Sequence, residues 1–173
     1  RGALAALAGA ETQPLPRLLE VGEGDTPRQY AQAVTQAVEC IRRGGLVKVV
    51  LARRAAVAFE AVPSPAAVLA RLGAHHPDCV RYAWRRSGKV WLGATPETLV
   101  RVDGRTLHTD ALAGTRSSER AAELLVSAKE RHEHAVVVDA IRRAIAPLTG
   151  RLPPPREPVI RALRGLAHLH TPI

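Results

Sequence analysis

The sequence predicts an α+β protein in which helices cover antiparallel sheets. Three observations carry this. "DTPRQYAQAVTQAVECIRRGG", residues 25–45, has helical spacing and signals at both ends. Residues 79–110 break into short extended runs with Ser87-Gly88 and Asp103-Gly104 as turns. Residues 118–148 then return to helical spacing.

Taken in order, residues 1–25 hold Pro14, Pro16 and several glycines without sustained periodicity, and they read as an N-terminal loop or the end of an upstream element. Residues 26–173 read as the body of a domain. Thr26 is the expected N-cap of the first helix, Pro27 its first helical position, and Gly44 and Gly45 follow its end. Tyr30, Val34, Val38 and Ile41 form its apolar stripe, expected to pack on the strand that follows. That strand is predicted over residues 46–59. In "GLVKVVLARR", residues 45–54, Val47, Val49 and Leu51 point to one face and Leu46, Lys48, Val50 and Ala52 to the other, so both faces are apolar, as in a strand covered on both sides. Ser64 and Pro65 open a short helix that ends near Gly73. "CVRYAWRR", "KVWLGA", "TLVRV" and "TLHTD" read as antiparallel strands. The helical stretch divides into two helices, with Leu124, Leu125, Val136, Val137, Ala140, Ile141, Ala144 and Ile145 as candidate core positions, and "GRLPPPREP" ends it.

The 173 residues are 46% hydrophobic, enough for a core. A net charge of +9 suggests an anion- or nucleic-acid-binding module, but aromatic residues are only 3% and the cations are scattered without a basic block. Cys40 and Cys79 have no metal spacing and are expected to be reduced, buried thiols. No apolar stretch approaches the roughly 20 residues that cross a bilayer, so a soluble, cytoplasmic protein without a membrane partner is expected.

Three motifs carry candidate chemistry. Of the 25 cationic residues only Lys48, Lys89 and Lys129 are lysines, and Lys is the cation that burial can neutralise. Lys48, set between apolar neighbours, is a candidate general base; the alternative is a stem lying on the sheet with its amine at an edge. In "WLGATPETL", Thr95-Pro96 forbids a helical turn and delivers Glu97 between two extended runs. A carboxyl in an apolar setting tends to keep its proton, which suits a general acid; a solvent-facing turn carboxylate is the alternative. In "AKERHEHAVV", His132 and His134 are two apart and point to different sides of a helix, which argues against zinc. Glu133 is a candidate Mg²⁺ ligand, against the alternative of an exposed pair with Lys129. "ALAGTR", residues 111–116, adds Gly114, which lets backbone N–H groups approach an anion, and the hydroxyl of Thr115.

In this order the motifs "KVVLARR", "LGATPETLV", "ALAGTR", "AKERHEHAVVVDAI" and "HLHTPI" resemble the chorismate-utilising enzymes, and most closely their isochorismate synthases, over roughly residues 26–173. The resemblance implies the α/β sandwich of anthranilate synthase component I and isochorismate synthase, with antiparallel sheets covered by helices. It implies chorismate as a small-molecule substrate, a Mg²⁺ requirement, and a role in menaquinone or siderophore synthesis. Matched motif to motif, Lys48 resembles the base that activates water for attack on C2, and Glu97 the acid that protonates the departing C4 hydroxyl. Glu133 resembles a Mg²⁺ ligand, Gly114 and Thr115 the contacts of the ring carboxylate, and His168 the histidine near the ring. A lysine at this place also separates the water-using members of the family from the ammonia-using ones, which generally lack it. Salicylate synthase, which adds elimination of pyruvate to the same hydration, is the alternative within the family. The parts of the family that supply a second metal-binding glutamate and a substrate-binding arginine and lysine have no counterpart in the sequence. The chain therefore reads as the N-terminal part of a chorismate-binding catalytic domain, expected to be inactive in isolation.

Overall fold

A computed structural model of the chain describes residues 14–173. It is an α+β structure with antiparallel pairing in every sheet, and it divides into two compact units, one ending at Ala70 and the other running from Arg71 to Ile173. No helix among the described residues is long and apolar enough to cross a membrane.

In the first unit, strand β1 (Leu18–Glu23) pairs with β2 (Ala55–Phe59), from Leu18 opposite Phe59 to Glu23 opposite Ala55. Residues 18–23, expected to be loop or an upstream end, are thus a paired strand. Pro14 and Pro16 precede the pairing and do not interrupt it. Helix α1 (Pro27–Arg42) starts as expected: Thr26 Oγ1 accepts from Gln29 N at 3.2 Å and Gln29 Oε1 accepts from Thr26 N at 2.9 Å, a closed capping box. Gly44, at φ +76°, follows its end. The stripe of Tyr30, Val34, Val38 and Ile41 remains 36–38% exposed, so the expected burial against a following strand is only partial.

The predicted strand 46–59 is corrected to its last five residues. Residues 46–54 belong to no strand among the described residues, and Val47 and Val50 are 73% and 76% exposed. A strand is defined by its ladder, and period-two apolar spacing does not supply the neighbour. Arg54 is fixed instead by Asp25, whose carboxylate accepts from Arg54 N at 2.8 Å, Nε at 3.2 Å and Nη2 at 2.8 Å. This clamp ties the residue before the N-cap of helix α1 to the residue before β2.

Helix α2 (Pro65–His75) leads from the first unit into the second. Strands β3 (Val80–Arg86) and β4 (Lys89–Thr95) form a hairpin whose turn residues, Ser87 at φ 48° and Gly88 at φ 74°, have the left-handed geometry of a type I′ turn. Strands β5 (Arg101–Asp103) and β6 (Thr106–His108) form a second hairpin, turning on Gly104 and Arg105. The remaining sheet has the order β7 (Asp110–Ser117), β9 (Leu166–Pro172), β8 (Val159–Leu163). Its strands were not expected from the sequence. The short helix α3 (Glu123–Val126) and the long helix α4 (Ala128–Ile145) follow β7. Leu124, Ala167 and Leu169 form the core here, with Ala121 and Ile160 packed against it.

Of the eight helical core positions expected, only Leu124 is buried; Val136, Val137, Ile141 and Ile145 are half-buried and the others exposed. The buried face of α4 is Glu130, His134 and Val138. Their i, i+4 spacing is that of a core stripe, but two members are polar, so hydrophobicity alone does not reveal it.

The Asp25–Arg54 clamp predicts a pH signature. The hydrogen bonds from Arg54 pull the Asp25 carboxyl from an ordinary value of 3.8 to about 2. A depressed folded-state pKa gives stability that is complete above the unfolded value and is lost as pH falls from there through the folded one. Denaturation of the wild type and Asp25→Asn should therefore differ above pH 4, with the difference shrinking as the pH falls from 3.8 towards 2.

Candidate active site

Five of the six candidate residues lie in the second unit, and strand β7 organises them. Its irregularity is the key. The pairing with β9 shifts register between Ala113 and Thr115, leaving Gly114 as a bulge at φ +77°. Past the bulge Thr115 stands opposite His168, and His168 Nδ1 lies 2.9 Å from Thr115 Oγ1 and 3.2 Å from Gly114 O. A carbonyl can only accept, whereas a hydroxyl can donate or accept. A proton on Nδ1 satisfies both contacts, which leaves Nε2 of the neutral ring as an acceptor. The structure thus joins Gly114, Thr115 and His168 directly.

Glu97 follows Thr95-Pro96 at the end of β4, in a stretch that forms no strand. Its Oε1 accepts from Leu112 N at 3.2 Å, and its own N–H donates to Thr95 Oγ1 at 3.2 Å. It is half-buried and lines a cavity of about 400 Å³ with Thr95, Leu99, Thr109, Asp110, Ile141, Ala144 and Ile145. A solvent-facing turn carboxylate is not what is found. A larger cavity, about 740 Å³, is lined by Arg105, His108, Arg151 and Arg156 among others, and by none of the candidate residues.

Glu133 is half-buried on α4, with Lys129 Nζ 3.5 Å from its Oε2. The same ammonium lies 3.1 Å from Oε1 of Glu130, and that hydrogen bond holds the Lys129 pKa above the ordinary lysine value against the opposing effect of burial. Lys129 does pair with Glu133, but Glu130 is 1% exposed, so a purely solvated charge cluster is excluded. His132 and His134 point to different sides of the helix, as expected: His132 is exposed and His134 is buried, its Nε2 2.8 Å from Thr171 Oγ1. No group of three or more His, Cys, Asp or Glu able to hold a metal occurs among the described residues. Glu133 is a hard oxygen donor of the kind that holds Mg²⁺ when waters and substrate complete the shell, and in this structure Lys129 Nζ lies against it.

Lys48 lies in the first unit, in the extended run 46–54. It is half-buried although Val47, Val49 and Val50 around it are exposed, the reverse of a lysine on a strand covered on both sides. Cys40 and Cys79 are free thiols, half-buried rather than buried.

Sequence reasoning missed Asp110, His170, Arg116 and the burial of Glu130. Asp110 Oδ1 lies 2.9 Å from His170 Nε2, and Asp110 Oδ2 accepts from Thr98 N at 3.2 Å. Burial acts to raise the Asp110 pKa, but the hydrogen bonds from His170 and Thr98 outweigh it and hold the carboxyl below its ordinary range. The available signal was "VIRALRGLAHLHTP", which alternates about an Arg164-Gly165 turn and so puts His168 and His170 on one face of a hairpin strand.

Residues 5–173 match the family profile described as "Chorismate binding enzyme". A salicylate biosynthesis isochorismate synthase of Pseudomonas aeruginosa is 40% identical over 154 residues, which are 84% of this chain and 32% of that protein. A Bacillus anthracis crystal structure assigned as a 2,3-dihydroxybenzoate-specific isochorismate synthase superposes with a TM-score of 0.82 at 29% identity, covering 94% of this chain and 47% of the other. For the menaquinone-specific isochorismate synthase of Escherichia coli the TM-score is 0.75 at 26% identity, over 94% and 41% of the two chains. The chain thus spans from 32% to 47% of the length of these relatives.

The bulge supplies a direct test. A Cβ on Gly114 would stand 3.0 Å from Glu130 Oε2, at a φ that L-residues disfavour. Gly114→Ala should cost on the order of 2 kcal/mol in a denaturant titration. It should also detach Thr115 from His168, read as a shift of the His168 imidazole resonances.

Proposed function

Because the chain belongs to the chorismate-binding enzymes, we propose that it carries the water-activating and leaving-group side of an isochorismate synthase site. The observation that most supports this is the meeting of Gly114 O and Thr115 Oγ1 at His168 Nδ1. It brings two separated motifs of the resemblance onto one imidazole in the orientation that frees Nε2 for a ligand.

Water is a poor nucleophile and hydroxide a poor leaving group, so exchanging one hydroxyl for another on a ring needs a base and an acid together. In this proposal Lys48 takes a proton from water as its oxygen bonds to C2 of chorismate. The ring π electrons shift and the C4–O bond breaks. Glu97 gives its proton to the departing hydroxyl, which leaves as water. The backbone hydrogen bond from Leu112 holds one carboxyl oxygen of Glu97, so the other is the one available for proton delivery. Gly114 and Thr115 orient the ring carboxylate, and His168 Nε2 accepts a hydrogen bond from the substrate. Glu133 would hold Mg²⁺, which when bound neutralises the ring carboxylate and draws electron density from the diene.

The test is a chorismate assay with Mg²⁺ on the native-length polypeptide that carries these residues. Lys48→Gln and Glu97→Gln should each lower turnover by about 10²–10⁴-fold with circular dichroism unchanged. Near wild-type turnover in Lys48→Gln would remove the base from this scheme. Pyruvate and salicylate among the products, in place of isochorismate, would assign the chain to the salicylate synthases.

A further inference from the structure

We infer that Arg116 is a positioning residue that locks the Gly114 bulge to the helix carrying Glu133, and so sets the spacing between the carboxylate-binding backbone and the Mg²⁺ ligand. The inference rests on the proposed roles of Gly114, Thr115 and Glu133. Nothing in the sequence singled out Arg116 beyond its place at the end of "ALAGTR".

The guanidinium works in two directions at once. Its Nη1 donates to Thr115 O at 3.0 Å, on the bulged strand, and its Nη2 lies 2.8 Å from Oε1 of Glu130, in the first turn of α4. Its Nε is 3.9 Å from Glu123 Oε2, on α3. The guanidinium thus folds back on its own strand while bonding Glu130 on α4, and its Nε, near Glu123, makes no hydrogen bond; only arginine presents such a rigid fork.

Glu130 makes the connection stiff. It is 1% exposed, and its second oxygen is set so close to the strand that a Cβ at Gly114 would come within 3.0 Å of it. A carboxylate in such a place cannot be left without a cation. Lys129 also reaches it, but that side chain is 75% exposed and Arg116 only 28%, so the arginine is the less solvated counter-charge. Glu133 is one turn further along the helix, on the neighbouring i, i+3 position. The next buried polar residue, His134, is bonded to Thr171 on β9. Glu133 thus sits between two polar anchors on the sheet, and Arg116 supplies the one next to the bulge.

A residue that merely stabilised the fold would, on substitution, reduce the fraction of folded enzyme and therefore the maximal rate alone. A positioning residue shifts the binding constants of the folded enzyme. The experiment uses the native-length polypeptide, comparing wild type, Arg116→Met and Arg116→Lys by chorismate kinetics and by Mg²⁺ titration in a calorimeter. Glu133→Gln serves as the control that abolishes Mg²⁺ binding. Arg116→Met should raise KM for chorismate and weaken Mg²⁺ binding by roughly tenfold or more, as loss of a group supporting a metal ligand does. Arg116→Lys keeps a cation beside Glu130 but not the fork that reaches Thr115 O, so it should raise both constants by a few-fold, less than methionine does. If Arg116→Met does not fold, Arg116→Lys decides alone. Unchanged KM and Mg²⁺ affinity in the folded variants, with only the maximal rate reduced, overturn the inference. A wild type that binds Mg²⁺ without turning over chorismate overturns the proposed reaction while leaving the Mg²⁺ titration to judge Arg116. A wild type that does neither overturns both.

Discussion

The second unit is built around a buried carboxylate pressed against a strand that has no side chain to offer it. Taking a carboxylate out of water costs several kcal/mol even after relaxation, and breaking a buried pair by removing one partner costs about 3–5 kcal/mol. Glu130 therefore imposes conditions on its surroundings. A cation must come from the sheet, and Arg116 provides it. The residue facing Oε2 must lack a Cβ, and Gly114 meets that need while adopting the positive φ that the bulge requires. The register of β7 against β9 follows from the bulge, and the opposition of Thr115 and His168 follows from the register.

Strand β7 then distributes chemistry along its length. At its start Asp110 takes hydrogen bonds from Thr98 and His170, which draw the chain after Glu97 onto the sheet. Leu112 N holds the Glu97 carboxylate itself. At the bulge the backbone turns a carbonyl toward His168, and beyond it Arg116 reaches the helices. Side chains on β9 alternate accordingly: Ala167, Leu169 and Thr171 are buried, Thr171 bonding His134 on α4, while His168 and His170 are half-buried and make polar contacts with β7. One strand thus serves the core with one set of its neighbours and the candidate site with the other.

How much of this was legible in the sequence depended on whether a signal was local. The N-cap at Thr26, the Ser87-Gly88 turn and the break at Pro96 are short-range effects of backbone stereochemistry, and all were readable. The antiparallel architecture was readable from the hairpins. Most of what failed needed a distant partner. Residues 46–54 have the composition of a covered strand, but the cover is not a property of the segment, and Val47 and Val50 are exposed. The buried face of α4 was misread because Glu130 and His134 look like surface residues until Arg116 and Thr171 are placed opposite them. The hairpin of β8 and β9 carried a period-two signal around Arg164-Gly165 that was local and was nonetheless overlooked.

Polar anchors on α4 also explain why a helix with so few buried apolar side chains can hold one orientation. An apolar stripe tolerates small rotations and slips, because dispersion contacts are numerous, weak and nearly interchangeable. A hydrogen-bonded pair does not, since its energy falls steeply with distance and angle. Glu130 with Arg116 and His134 with Thr171 are one helical turn apart and reach different strands, β7 and β9. Two such contacts determine both the rotation of the helix about its axis and its position along the sheet. The net stability gained from them is small, because each group gives up water to make its contact. Their effect is on geometry, and it falls on Glu133, whose backbone lies between them.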